Sequence, residues 1–337
     1  MKLPLVSVVI PARNAARTIL DTLRDVRAQT FDEIEIIVVD DGSNDETAEI
    51  VHAARELDDR IFLLRGPHRG LPAARNAGIA AARGRFIAPL DADDLWHPTK
   101  LARQVSMMDA GGRSIGLVYC GFRDVDRRGV VLRTPPPYFY EGKVLNRHLY
   151  YNFVGNGSNP LIRREALDRI GLYDETMLRG CEDYDLQLRI ASAFEFRFVR
   201  DYLIGYRRGD GGMSEDYERM LTEELALAKK VTTTQPKVRP LTSRIKQAEV
   251  LLGLSRRRFR DGNLAGGAAA AASAFVRHPA GSAMAMVRIV TGPAAFVARV
   301  IHPDPTVGRR FHDVDPREYT DRRFQSRTPL MWAVGSG

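Results

Sequence analysis

The first hundred residues predict an α/β fold with a mostly parallel sheet flanked by helices, and three observations carry that prediction. Apolar runs of strand length recur in units of about 25 residues. Between them lie apolar residues at helical spacing. Each run empties into a short polar or acidic loop, and at such strand ends this kind of sheet binds its ligands.

The elements follow in order. Residues 5–10 (Leu-Val-Ser-Val-Val-Ile) read as a buried strand that Pro11 ends. Ile19, Leu20, Leu23 and Val26 mark a helix. Ile34 to Val39 form a second strand running into Asp40-Asp41-Gly42-Ser43. Ser43 or Asn44 can cap a helix carrying Ile50, Val51 and Leu57. A third strand spans 61–64, an alanine-rich helix 71–83, and a fourth strand 86–90. That strand delivers Asp91, Asp93 and Asp94 into one loop. Clustered carboxylates repel one another unless a cation lies among them, which suggests a divalent metal bound with a phosphorylated substrate. The plain alternative is a solvated acidic turn before a helix that Pro98 could start.

Beyond residue 100 the pattern changes. Residues 115–123 and 129–133 look like a hairpin turning near Asp126-Gly129, and 134–160 form a long connection rich in aromatics and glycine. A helix near 164–170 leads to Gly180-Cys181-Glu182-Asp183-Tyr184-Asp185, and 196–206 read as a further strand. Helical patterns cover 216–230, 241–260, 263–276, 281–291 and 294–301. The expected organisation is a catalytic domain over 1–214, a basic helical extension over 215–302, and an irregular, loosely held tail over 303–337.

Composition narrows the classes. The charged fraction of 27% and hydrophobic fraction of 44% are ordinary for a soluble domain. Two scattered cysteines, Cys120 and Cys181, exclude a disulfide framework or a cysteine-rich zinc site. No uninterrupted apolar stretch reaches about 18 residues, so the expected location is cytoplasmic, with peripheral contact on the inner face of the membrane as an option. The formal charge of +8 falls entirely in residues 215–337, which hold 20 Lys+Arg against 12 Asp+Glu. A basic extension can meet an anionic membrane surface or an acidic partner. Arg288 and Arg299 lie eleven apart, nearly on one helical face, although Pro293 interrupts them. Nucleic acid binding has no motif support.

Taken in order, Val-Ser-Val-Val-Ile-Pro-Ala-Arg-Asn, Val-Asp-Asp-Gly-Ser, Ala-Arg-Asn-Ala-Gly, Asp-Ala-Asp-Asp, Leu-Ile-Arg-Arg-Glu-Ala-Leu and Glu-Asp-Tyr-Asp-Leu-Gln-Leu-Arg form a specific set. Over roughly residues 4–215 the chain resembles the family 2 glycosyltransferases of the GT-A fold. The resemblance implies inverting sugar transfer from a nucleotide-sugar, a UDP-sugar above others, assisted by Mg2+ or Mn2+. The implied acceptor is a glycan or lipid-linked glycan of bacterial surface polysaccharide synthesis.

The same resemblance implies roles residue by residue. Pro11, Ala12, Arg13 and Asn14 would lie against the nucleotide, and Asp40 and Asp41 near the base, unless they only cap the following helix. Arg75 would sit near the diphosphate, where its planar fork suits phosphate; otherwise it is a solvated helix arginine. Within the Asp-x-Asp motif, Asp93 is the metal ligand, Asp91 and Ala92 lie toward ribose or sugar with Asp91 also able to reach the metal, and Asp94 supports the loop. Asp183 is the expected base and Glu182 its rival. A helix N-terminus would keep Asp183 ionised; the alternative is that these are ordinary first-turn acids. Gly209 stands where many members carry a metal-binding histidine, so Asp210 could substitute as an oxygen ligand, or water could fill the position. Cys181 reads as packing, while Trp96 and Tyr138-Phe139-Tyr140 could stack on a sugar or belong to the core.

Two other classes fit the sequence less well. A sugar-nucleotide pyrophosphorylase needs a glycine-rich basic loop after the first strand, and Pro11–Asn14 has no glycine. A catalytically silent scaffold working through its basic extension is opposed by the complete set of acids.

Overall fold

The computed structural model describes residues 3–136, 138–209, 216–280, 282 and 304–318. Its centre is a nine-stranded sheet. The N-terminal half comprises β1 (Val6–Ala12), β2 (Ile34–Asp41), β3 (Ile61–Gly66) and β4 (Phe86–Pro89), all parallel. β1 and β2 are buried on both faces, as near-continuous Val and Ile runs in a covered parallel sheet must be. The helices between them are α1 (Ile19–Arg27), α2 (Thr47–Arg55) and α3 (Leu71–Ala81).

The C-terminal half is mixed. It contains β5 (Leu95–Trp96), β6 (Ile115–Val125), β7 (Val131–Arg133), β8 (Leu161–Arg163) and β9 (Glu195–Arg207). Strand order is β3-β2-β1-β4-β8-β6-β9-β5, with β7 beside β6. β8 runs antiparallel to both β4 and β6 and so joins the halves. Helices α4 (Lys100–Ala110), α5 (Leu145–Tyr150), α6 (Arg164–Ile170) and α7 (Glu182–Ala193) complete this part. The expected hairpin is present as β6–β7. The long aromatic connection contains α5, which the sequence reading missed.

Register decides where the loops arrive. Ala12 pairs with Asp40 and Asp40 with Arg65, so three strand ends are level. α3 rests tightly on them: a Cβ at Gly78 would lie 2.4 Å from Val9 Cγ1. That close seating carries Arg75 to the sheet's carboxyl edge.

The extension folds as α8 (Tyr217–Thr234), α9 (Pro240–Arg260) and α10 (Leu264–Arg277). Lys230 of α8 bonds Asp174 and Asp185 at 2.8 Å each, tying the extension to the helix that carries the candidate base. The patterns over 281–291 and 294–301 fall outside the described residues, except residue 282.

The tail differs from the expectation where it is described. Residues 304–318 pack on the sheet: Phe311 is 1% exposed and sits among Leu95, Val125, Val131 and Val314. Val131 N donates to Arg309 O, and Arg123 Nη2 to the carbonyls of Asp315 and Glu318. One aromatic anchor and these backbone bonds hold a segment without periodicity, so pattern alone could not reveal it. Phe311→Ala is expected to destabilise the fold by about 3–5 kcal/mol, read as a lowered urea midpoint.

Candidate active site

Two loops form one wall. Asn14 N donates to Ser43 Oγ at 3.0 Å, and Asn44 N donates to Asn14 Oδ1 at 2.8 Å. Asn14 takes a left-handed φ of 51°, and Cys181 one of 65°. These are the two non-glycine residues with positive φ among the described residues, and both border the candidate site. Asp40 accepts from Ser43 N and from Arg65 Nε. Asp41 accepts from Arg69 N at 2.7 Å, Gly70 N at 3.0 Å and His68 Nδ1 at 2.7 Å. Neither aspartate caps α2, which starts only at Thr47, and neither Ser43 nor Asn44 caps it either. Pro11 and Ala12 are buried in the floor, whereas Arg13 is exposed with no partner among the described residues.

The acid loop is sorted by burial. Asp94 is fully buried; it accepts from Ser158 Oγ and Arg207 N, and burial first, then Asp93 and Asp91, hold its carboxyl well above the usual range. It is a support, as expected. Ala92 is buried beside it. Asp93 reaches solvent, yet the loop strips much of the water around its carboxyl. That desolvation, with the charge of Asp91 beside it, raises Asp93 to about 6. Asp91 N donates to Ser158 Oγ, and Asp91 Oδ1 accepts from Arg75 Nη2 at 2.5 Å.

Arg75 is not the solvated helix arginine of the plainer reading. It is 1% exposed, not solvated, and its fork is already engaged: Nη2 on Asp91 and Nη1 on Glu182 at 2.6 Å. Tyr173 lies under the guanidinium, 5.2 Å from ring centroid to Cζ. Arg75 is therefore the bridge between the acid loop and the N-terminus of α7, because α3 passes between two loops that sequence distance separates. Glu182, bound to Arg75, is buried and occupied. Asp183 is half-buried, and its one bond is local, from Tyr184 N to Oδ1. Of the two acids, Asp183 is the one with a carboxylate open for proton transfer.

Its ionisation corrects the expectation from the helix N-terminus. Desolvation, followed by the charge of Glu182, raises Asp183 to about 7, and Arg75 only partly opposes this. A helix end contributes a fraction of a charge; loss of water around a carboxylate outweighs it here. Trp96 is core rather than a sugar platform: it is fully buried, its Nε1 donates to Ser158 O, and Lys100 lies over its ring. The Tyr138–Tyr140 stretch is tied to the core by Tyr119 Oη, which donates to the carbonyls of Tyr138 and Tyr140. Cys181 is partly buried and burial pushes its thiol up, in keeping with packing.

A divalent cation fits the donor set. Two neighbouring carboxylates, one raised by the other's charge, gain most from a cation between or beside them. Among the described residues no group of three or more His, Cys, Asp and Glu could hold a metal alone. Mg2+ and Mn2+ sites commonly use one or two carboxylates and take further oxygens from phosphate and water. Asp210 lies outside the described residues.

Sequence reasoning missed Ser158, whose hydroxyl links Asp91 to Asp94, and Arg207, whose backbone supports Asp94 while Nη2 reaches Asp21 at 3.1 Å. It also missed Gly157, where a Cβ would lie 2.6 Å from Arg75 Nη2. The Gly-Asn-Gly-Ser-Asn run was the available signal, since glycines mark close backbone approach.

Comparison with known proteins is consistent with this site. The family model described as glycosyl transferase family 2 matches residues 7–171. An uncharacterized glycosyltransferase of Rickettsia typhi is 31% identical over 227 residues, which are 66% of this chain and 70% of that protein. The succinoglycan biosynthesis protein ExoO of Rhizobium meliloti is 36% identical over 195 residues, 55% of each chain. The chain thus spans between about half and 70% of these relatives' lengths. Among solved structures, a mannosyltransferase from Pyrobaculum calidifontis in complex with GDP-Man and Mn2+ aligns with TM-score 0.61 at 22% identity, covering 88% of this chain and 83% of that one. S. aureus TarS (residues 1–349) in complex with UDP-GlcNAc aligns with TM-score 0.58 at 21% identity, covering 74% and 72%. At these identities the structures establish a shared fold, the GT-A fold.

Proposed function

The chain belongs to the family 2 glycosyltransferases, and on that premise we propose that it is an inverting, metal-dependent transferase. It moves a sugar from a nucleoside diphosphate sugar to a hydroxyl of a glycan or glycolipid acceptor in bacterial surface polysaccharide synthesis. One observation carries the reading. Arg75 joins Asp91 to Glu182, so the acid loop and the base helix face one cleft with Asp93 and Asp183 left open.

The roles are those that the family resemblance implies, set on that geometry. The 11–14 and 40–43 loops hold the nucleotide, and Asp91 orients ribose or sugar. Asp183 takes the proton of the acceptor hydroxyl as its oxygen bonds to the anomeric carbon, while the bond to the diphosphate breaks on the opposite side. Asp93 and Asp91 would hold Mg2+ or Mn2+, which would supply neutralisation of the charge on the departing diphosphate. Relatives support the donor class: TarS is solved with UDP-GlcNAc and the mannosyltransferase with GDP-Man and Mn2+. A UDP-sugar is the proposed donor.

Titration of UDP-, GDP- and dTDP-sugars, with and without Mn2+, tests this by thermal stability. A donor at 100 times its Kd adds about 2.7 kcal/mol of stability. UDP-sugar with Mn2+ is expected to stabilise the wild type, and Asp93→Asn to lose the Mn2+-dependent part. Absence of any nucleotide effect in both conditions would leave a scaffold as the surviving reading.

A further inference from the structure

The outward face of α10 has no polar residue. Leu264 is 66% and Val276 78% exposed, and Ala265, Ala268, Ala269 and Ala272 between them are exposed too. At 100° per residue these six positions occupy one continuous arc, which on an ordinary surface helix would be charged or polar. The opposite face, with Gly267, Ala270 and Ala274, is buried against α9. Apart from half-buried Ser273 and Arg277 at its end, α10 is therefore apolar on both faces, a condition that calls for a cover.

The charge around this face indicates what covers it. Arg256 and Arg260 are exposed at the hairpin tip beside half-exposed Phe259, with no carboxylate partner among the described residues. Arg277 stands at the other end, its guanidinium bonded among the described residues to neutral groups of Gln247 and Ser273. From Gly262 to Pro303 the sequence contains no acidic residue, and its three basic ones, Arg277, Arg288 and Arg299, are eleven apart. A second copy is a poor cover, because two-fold pairing of α10 brings arginines against arginines, and like charges across an interface are costly.

We propose that the outward face of α10 docks on an anionic lipid bilayer, with the apolar arc at the acyl boundary and Arg256, Arg260 and Arg277 at lipid phosphates. Apolar burial and surface potential act together in such contacts. The proposal stands apart from the donor site, since the nucleotide titration decides one and vesicle binding the other.

The test is sedimentation of the full chain with vesicles of mixed phosphatidylglycerol and phosphatidylcholine, against phosphatidylcholine alone. Binding is expected to the mixed vesicles and to weaken at high salt. Leu264→Glu/Val276→Glu and, separately, Arg256→Gln/Arg260→Gln should each lower it about tenfold or more. Both pairs are exposed, so circular dichroism and donor-dependent stabilisation should match the wild type. Equal binding to both vesicle types, or wild-type binding by the Glu pair, overturns the proposal. So does concentration-dependent dimerisation that the Glu pair abolishes, which would make the face a self-association surface.

Discussion

Asp183→Asn is expected to lower transfer by about 10²–10⁴-fold while nucleotide-sugar binding stays near the wild-type level. The amide keeps the shape of the side chain but cannot take the acceptor's proton. Among the described residues Asp183 makes no hydrogen bond to the acid loop or to Arg75, so the donor wall keeps its own bonds in the variant. The pH dependence has a definite sign. The base works ionised and its carboxyl sits at about 7, raised by desolvation first and Glu182 second. In the wild type kcat/KM should therefore rise with pH through neutrality and level off above it. In the variant that limb should vanish from the residual rate. Loss of donor binding in Asp183→Asn, or an unchanged acid limb, would assign the base elsewhere.

Arg75→Gln is expected to cost about 3–5 kcal/mol of stability, the range for removing one partner from a buried ion pair. The guanidinium is buried between Asp91 and Glu182, and without it buried Glu182 and partly exposed Asp91 both lose their cationic partner. Donor binding should fall as well, because Asp91 loses the contact that aims it. Urea unfolding would measure the first effect, and a cycle with Glu182→Gln would isolate the pair. A coupling of about 1 kcal/mol or more is expected for residues in contact. Additive single and double variants would mean that the bridge contributes nothing beyond each side chain's own burial.

The strands and helices of the first ninety residues were readable because each depends on neighbours two, three or four positions away. Near-continuous runs of Val and Ile mark β1 and β2, and Ile19, Leu23 and Val26 mark α1. The elements that escaped are short: β5 has two residues, β8 three and α5 six. Runs of that length carry no periodicity, and sheet pairing or packing stabilises them instead. The acids of the cleft were readable as residue types at strand ends. Their partners were not, since Arg75 meets Glu182 107 positions away and Ser158 meets Asp94 64 away.

By itself the sequence determined the α/β class, the family resemblance, the sheet edge at which the loops gather, and the identity of the acids there. Tertiary structure decided which acid is free and which is held: Asp183 open and raised to about 7, Glu182 tied to Arg75, Asp94 sealed beneath the loop. It also decided that residues 304–318 are packed and that Trp96 belongs to the core. The physical reason is the range of the forces involved. Backbone periodicity is set by near neighbours in the chain, whereas desolvation and ion pairing sum over whatever the fold brings within a few ångströms.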